Sequence, residues 1–433
     1  MNRLFESKTL PIPFILFVLI FPTLTVAIAG DFAANTPVIS SISKTTTNKV
    51  VVYRYEGFMG YGDNKSPTLN RSAIDDYVFH NWAAANNLTV ELVETTDANA
   101  LLTRLETEKA APKADVVIGL DNALLALAKA KGIATAILEP YVPENSSQLR
   151  QDLVSQLDSS HLLTPIDYGA LAFYYDLTRL NQGSLPEIGS LELKELTNPT
   201  IASQIIYESA VTSSPGTGFL LWTIAISKII GEPDYWETFW SEVKGVSQVS
   251  PSWGDAIAKW SEPANNRGIM LSYATSPAYD KCVFNSTNTA AFFTNEFGRN
   301  NSWLQIEGIG LVKGGQNPEG GNKLIDRMVS NSVQEKIPVT NWMYPAKTLA
   351  LANLPQCFTD GAISPDQLNT LNNNLTIQEV VTGISEWLDT WDKIMAQDLS
   401  PLFLLFLAML VVTALVTWWL VKKRNSRREK SEL

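Results

Sequence analysis

Aromatic residues recur in this chain inside short polar motifs: Tyr55-Glu56-Gly57-Phe58, Ser252-Trp253-Gly254, Ser272-Tyr273-Ala274-Thr275-Ser276-Pro277-Ala278-Tyr279 and Asn341-Trp342-Met343-Tyr344-Pro345. Rings that serve a core sit in apolar runs. These sit at strand ends or in loops beside Gly, Ser and Pro, where ring faces can be presented to a cleft. For any one ring, core packing competes with a binding role, and it is the set that carries the signal. Ring faces suit a flat heteroaromatic cation, because stacking and cation–π attraction are worth about 0.5–2 kcal/mol per contact. A second motif, Thr212-Ser213-Ser214-Pro215-Gly216-Thr217-Gly218, precedes a helix running through Trp222. Free backbone N–H groups at that helix start, with Ser and Thr hydroxyls, would hold a phosphate or an alcohol, or serve simply as an N-cap. Asp97, just ahead of a helix beginning at Ala98, is in the same way either an N-cap or a carboxylate placed to accept a hydrogen bond from an amino group on a heterocycle.

Signatures of catalysis are missing. His80 and His161 are the only histidines and have no partner at metal-ligand spacing. The chain has no Gly-X-Ser-X-Gly, dinucleotide fingerprint or phosphate-binding P-loop. We expect no enzyme, no resident cofactor and no metal. Cys282 and Cys357 are the whole thiol inventory; in an oxidising compartment they could form a disulfide, but the sequence does not show that they meet. Asn70, Asn87, Asn145, Asn285, Asn300 and Asn374 each begin an Asn-X-Ser/Thr triplet. In an exported chain these read as surface glycosylation acceptors, although an Asn-rich chain produces several by chance.

The elements that must position these residues alternate in type. Val50–Tyr55, Leu88–Val93, Asp115–Leu120, Ala170–Tyr175 and Ile205–Tyr207 read as strands. Between them, Ala98–Ala110, a helix capped by Asp121 and closed at Gly132, and Gly216–Ile230 closed by Gly231 read as helices. Strands alternating with helices predict a mostly parallel sheet covered on both faces. Roughly 350 residues of this pattern exceed one ordinary domain, so the expected fold is α/β with two lobes. Near the end, Thr376-Ile377-Gln378-Glu379 has capping-box spacing and opens an amphipathic helix through Trp387 and Trp391.

The two ends set the compartment. Arg3 and Lys8 precede an uncharged stretch from Leu10 to Gly30 that closes in Ala27-Ile28-Ala29, the shape of a signal peptide over residues 1–29. An uncleaved N-terminal anchor is the alternative, weakened by Pro11, Pro13 and Pro22. Residues 30–49, rich in Ser, Thr and Asn, read as a flexible leader. Leu399–Val421 is uncharged and long enough to cross a hydrocarbon core of about 30 Å, so it is expected to be a transmembrane helix. Trp418 and Trp419 suit an aromatic belt, and the basic residues of 422–433 place that tail in the cytoplasm. The first 29 residues carry +1 and the last twelve +4, so the formal −11 becomes −16 for the exterior part, a balance that excludes nucleic acid as a partner.

With these motifs in place, the chain resembles the periplasmic thiamine-binding proteins of bacterial thiamine ABC importers, which have the type II periplasmic binding protein fold. The likeness runs from about Val50 to about Asp392. It rests on Lys113-Ala114-Asp115-Val116-Val117-Ile118-Gly119-Leu120-Asp121-Asn122, on Pro165-Ile166-Asp167-Tyr168-Gly169, and on the Ser272–Tyr279 and Asn341–Pro345 motifs. The resemblance implies two lobes within residues 50–395, with a mostly parallel sheet in each. Lobe 1 would comprise about 50–166 and 280–395, and lobe 2 about 167–279. It implies that Tyr55, Trp253, Tyr273 and Trp342 line an aromatic cleft, with Tyr279 an additional wall. Asp97 and Ala98 would sit against an aminopyrimidine. Ser213, Ser214 and the segment Ala274, Thr275, Ser276 and Pro277 would meet a hydroxyethyl or phosphate end. The family's Asp-Gly pair stands here as Asp97-Ala98, and its Tyr-Asp-Ser-Phe as Tyr55-Glu56-Gly57-Phe58. The transported ligand would be thiamine, thiamine phosphate or thiamine diphosphate, and the partners an ABC permease and ATPase. A C-terminal anchor departs from the soluble relatives and suits a cell without a confining outer membrane, such as one with an archaeal-type envelope. A polyamine or ferric-ion receptor of the same fold, and a thiaminase-like enzyme with a cysteine nucleophile, are the rival readings.

Overall fold

The computed structural model describes residues 47–180 and 191–396, together with Met409 and Thr413. The elements that position the cleft are, in chain order, β1 (Lys49–Tyr55), β2 (Thr89–Thr95), α1 (Ala98–Glu108), β3 (Val116–Asp121), α2 (Asn122–Ala130), β4 (Thr164–Asp176), β5 (Ile205–Glu208), α3 (Ser214–Ile230), α4 (Tyr235–Val243), β6 (Gln248–Ser250), α5 (Trp253–Ser261), β7 (Ile269–Tyr273), α6 (Ser276–Phe284), β8 (Thr289–Phe292), β9 (Leu304–Val312) and α7 (Ile377–Met395). The main path of the large sheet runs β2-β1-β3-β9-β4-β7-β5-β6.

Two lobes hang from the middle of this path. On one side β1 pairs in parallel with β2 and β3; on the other β5 pairs in parallel with β6 and β7. Helices cross over between these strands, which is what makes them parallel. The thirteen-residue β4 belongs to both lobes: Thr164–Ala170 faces β9, and Leu171–Asp176 faces β7 and β8. All of its pairings are antiparallel, as are those of β9 with β3. The sheet is therefore mixed, and the expectation of a mostly parallel sheet in each lobe is corrected. The strands that carry the chain out of one lobe and back into it run in opposite directions, so the pairing between them cannot be parallel. Strand β8, within the stretch expected in the first lobe, sits against the second-lobe half of β4, while Ala278 of the preceding α6 packs with the first-lobe core.

Continuous apolar runs explain the buried strands. Every residue of β3 and β9 is buried, as strands covered on both faces require. In the second lobe α3 is buried from Ser214 through Ser227, and its Phe219 stacks on Tyr207 of β5 at 5.2 Å. Thr376 and Glu379 form the expected capping box at the start of α7. That helix lays Val380, Ile384 and Trp391 on the second-lobe core, with Trp391 edge-on to Trp240 at 5.5 Å. Among the described residues no helix is long and apolar enough to cross a membrane. The signal stretch 1–29, the leader up to residue 46, the apolar run 399–421 and the basic tail 422–433 lie outside the described residues, Met409 and Thr413 excepted, whereas Lys49, expected in the leader, opens β1.

Candidate functional site

Between the lobes lies a cavity of about 380 Å³, with walls supplied by both halves of the chain. Tyr55, at the C-terminal end of β1, donates from its hydroxyl to Glu307 Oε2 of β9 at 2.9 Å. Its ring lies on Gly119, whose φ is +104° and where a Cβ would come within 2.4 Å of Tyr55 Cδ1. Only glycine satisfies both the backbone conformation and the close approach. Trp253, opening α5, donates from Nε1 to Ser272 Oγ at 3.0 Å and meets Tyr61 edge-on at 5.3 Å. Tyr273, ending β7, donates to Gln305 Oε1 at 3.2 Å. Tyr279 on α6 packs edge-on against Trp342 at 5.2 Å, and Trp342 Nε1 donates to the Tyr61 carbonyl at 2.7 Å. Trp342 holds a left-handed backbone at φ +55°; for a bulky residue such strain persists only where its surroundings impose it.

The floor is acidic and buried. Glu307 stands directly across the strand pair from Asp167, and Asn341 Nδ2 donates to Asp167 Oδ2 at 2.9 Å while Asp167 Oδ1 is buried without a partner. Burial holds the Asp167 carboxyl up at about 8. Burial, and then the neighbouring Asp167 charge, raise Glu307 well above the usual carboxylate range, against the Tyr55 hydrogen bond. Asp121, buried at the start of α2, is pushed up to about 7, although the Leu124 N–H pulls the other way. The Tyr55 and Tyr273 phenols are also driven well up, first by burial and then by the Glu307 charge. Asp97 lines the cavity at the head of α1, where its side chain accepts from Asn99 N–H at 3.4 Å. It also reaches across the cleft, accepting from Ser213 Oγ at 3.0 Å and Ser214 N–H at 3.1 Å, and burial shifts its carboxyl upward against those bonds. Asp97 is thus the N-cap of α1, and the same carboxylate bridges to the head of α3.

Ten of the sequence-predicted residues share this one cavity: Tyr55, Asp97, Ala98, Ser214, Trp253, Tyr273, Thr275, Ser276, Tyr279 and Trp342. Ser213, Ala274 and Pro277 do not reach its wall. Ser213 is the buried N-cap of α3. Ala274 is held by its backbone between Ala170 and Ile363, and Pro277 is buried in the first turn of α6. Sequence reasoning missed Tyr61, Trp260, Glu307 and Asn341 among the other residues that line it. Tyr61 lies in Gly60-Tyr61-Gly62, the same aromatic-among-glycines signal used for the others. Glu307 is a lone charge in an apolar strand, a pattern that points to a buried polar role.

The two cysteines meet: Cys282 of α6 is bonded to Cys357, with Cα atoms 5.1 Å apart. The bond fastens the helix that carries Tyr279 to Gln356–Gly361, and a Cβ on Gly361 would fall 2.6 Å from Ala278 Cα, so the two segments touch along their backbones. Among the described residues no group of three or more His, Cys, Asp and Glu is placed to hold a metal ion.

Residues 111–362 match the family described as bacterial extracellular solute-binding protein. The thiamine-binding periplasmic protein of Escherichia coli (strain K12) is 30% identical over 311 residues, covering 71% of this chain and 84% of that protein. A solved structure of a periplasmic thiamin binding protein is 28% identical, with a TM-score of 0.65 over 81% of this chain and 96% of its own. Iron-bound HitA from Pseudomonas aeruginosa, at 15% identity, shares the fold, with a TM-score of 0.56 over 80% of this chain and 99% of its own. With its family match, its two lobes joined by crossing strands and its interlobe cavity, the chain belongs to the bacterial extracellular solute-binding proteins, with the type II periplasmic binding protein fold.

Proposed function

We propose that the chain is the substrate-binding receptor of an ABC importer, which captures thiamine or its phosphates between its lobes and delivers the ligand to a permease, with ATP used by a separate subunit. The carrying observation is the set of five rings, Tyr55, Trp253, Tyr273, Tyr279 and Trp342, around one acidic cavity. Thiamine offers what such a space recognises: two flat heterocycles for the ring faces, a thiazolium charge for the carboxylates and an amino group for Asp97 or Glu307. The similarity to thiamine-binding periplasmic proteins supports the same ligand. Capture makes and breaks no bond. Lobe closure is a two-state shift drawn toward the closed form by contacts made from both sides. A receptor with stacked rings is expected to bind in the sub-micromolar range, about −8 kcal/mol or better.

The uncharged run 399–421 and its basic flank support a tether that keeps the lobes outside the membrane and the tail in the cytoplasm. A cysteine-nucleophile reading lacks its thiol, since the chain's two cysteines are bonded to each other. Iron capture calls for phenolates. Here the Tyr55 and Tyr273 hydroxyls are committed to Glu307 and Gln305, and burial makes their ionisation costly. Titration calorimetry of the full chain with thiamine, spermidine and ferric citrate tests the reading. Heat with thiamine alone is expected, and no binding of thiamine or its phosphates would remove it.

A further inference from the structure

Glu56, Asp97, Asp280 and Glu307 line the cavity, and no lysine, arginine or histidine is among the described lining residues. Asp121, Asp167 and Glu208 are buried close behind it. An anionic group entering this space meets carboxyls and no basic side chain, in surroundings where charge is poorly screened. Relief would have to come from a helix start, and four helices begin at the wall: α1 is headed by Asp97 itself, α5 carries Asp255 in its first turn, where it accepts from Ser252 Oγ at 2.7 Å, and α3 and α6 remain. The donors at the head of α3 already face an anion, because Asp97 takes both the Ser213 hydroxyl and the Ser214 N–H from across the cleft. The Ser214 hydroxyl receives Gln305 Nε2 at 3.4 Å. At the head of α6, Ser276 Oγ is engaged with Ser272 Oγ at 2.8 Å, and Asp280 lines the cavity one turn along. What remains at that end is Thr275, a lining residue whose Oγ1 is buried and without a partner. A single neutral hydroxyl that can donate and accept is the complement of an alcohol.

We propose that the cavity selects the unphosphorylated cation: it takes thiamine with its free hydroxyethyl group at Thr275 and discriminates against the monophosphate and the diphosphate, because Asp97 occupies the helix start that a phosphate would need. This inference rests on the thiamine reading and narrows it. The test is titration of the full chain, purified in detergent and stripped of ligand, with thiamine, thiamine monophosphate and thiamine diphosphate at one pH and salt concentration. Thiamine is expected to bind at least about tenfold more tightly than either phosphate, as adding a dianion to a site with no basic group implies. Equal or tighter binding of a phosphate overturns the inference and leaves the thiamine reading standing; binding of none of the three overturns both. In Asp97→Asn, which keeps the side-chain shape and removes the charge from the α3 start, the preference for thiamine over the diphosphate is expected to shrink by about tenfold. An unchanged ratio in a variant with a wild-type melting profile also counts against it. The wild-type comparison decides the matter if that variant does not fold.

Discussion

Replacing Asp167 by Asn isolates the energetic consequence of placing two carboxyls face to face on β4 and β9. The Asp167 carboxyl in the fold stands at about 8, against an ordinary aspartate value of about 3.9. Between those limits the ligand-free fold holds a proton that the unfolded chain has released, so the native state binds more protons and stability must fall as pH rises through that window. Each pH unit inside it removes about 1.4 kcal/mol. Asp121 and Glu307, both also raised, push the same way. Carboxyls that are lowered, such as Glu379 at about 2, act in the opposite sense but only in a more acidic range. Asn at 167 retains an oxygen for Asn341 Nδ2, never ionises and leaves Glu307 without its like-charged neighbour. The variant is expected to match wild type near pH 5 and to exceed it at pH 8 by about 2–4 kcal/mol. Urea unfolding followed by tryptophan fluorescence at both pH values, on ligand-free protein, reads this directly. A wild-type stability that rises from pH 5 to pH 8, or a variant weakened equally at both, would refute the reasoning.

Three further outcomes are expected. A cationic ligand lowers the Asp167 and Glu307 carboxyls, so binding releases protons and thiamine affinity climbs from pH 6 to pH 8; calorimetry in buffers of different ionisation enthalpy would show the released protons, and uptake instead would contradict the acidic floor. Trp253→Ala removes one ring face and its hydrogen bond to Ser272; a loss of about 1–2 kcal/mol, roughly five- to thirtyfold in thiamine affinity, is expected by calorimetry. Gly119→Ala forces a left-handed φ on a side chain that collides with the Tyr55 ring; a destabilisation of about 1–3 kcal/mol is expected in urea unfolding.

Tyr55, Trp253, Tyr273, Tyr279 and Trp342 were legible because each stands among Gly, Ser, Asn or Pro, where an aromatic has little apolar company. Asp97 and Ser214 were legible as helix starts. Their meeting across the cleft was not, since capping concerns local backbone and says nothing of which distant helix a carboxylate will reach. The antiparallel centre escaped for a similar reason: Ala170–Tyr175 of β4 read as an ordinary buried strand and β9 was not assigned, and direction is fixed only by where the chain comes from in space. Glu307 is visible in sequence as the lone charge of an apolar strand, but that it faces Asp167 is a property of register. Ser213, Ala274 and Pro277 show the limit of carrying a motif over whole, since neighbours in sequence alternate between wall and scaffold.

Strand β4 is hydrogen-bonded to one lobe along its first seven residues and to the other along the rest. Such a rail resists being pulled lengthwise but tolerates a twist, so any lobe motion is expected to swing about the boundary near Ala170 and Leu171. A substitution at that boundary, where Leu171 pairs with the cleft residue Tyr273, is therefore expected to alter how readily the mouth shuts, so that retention of cargo would depend on the spine as well as on the palate.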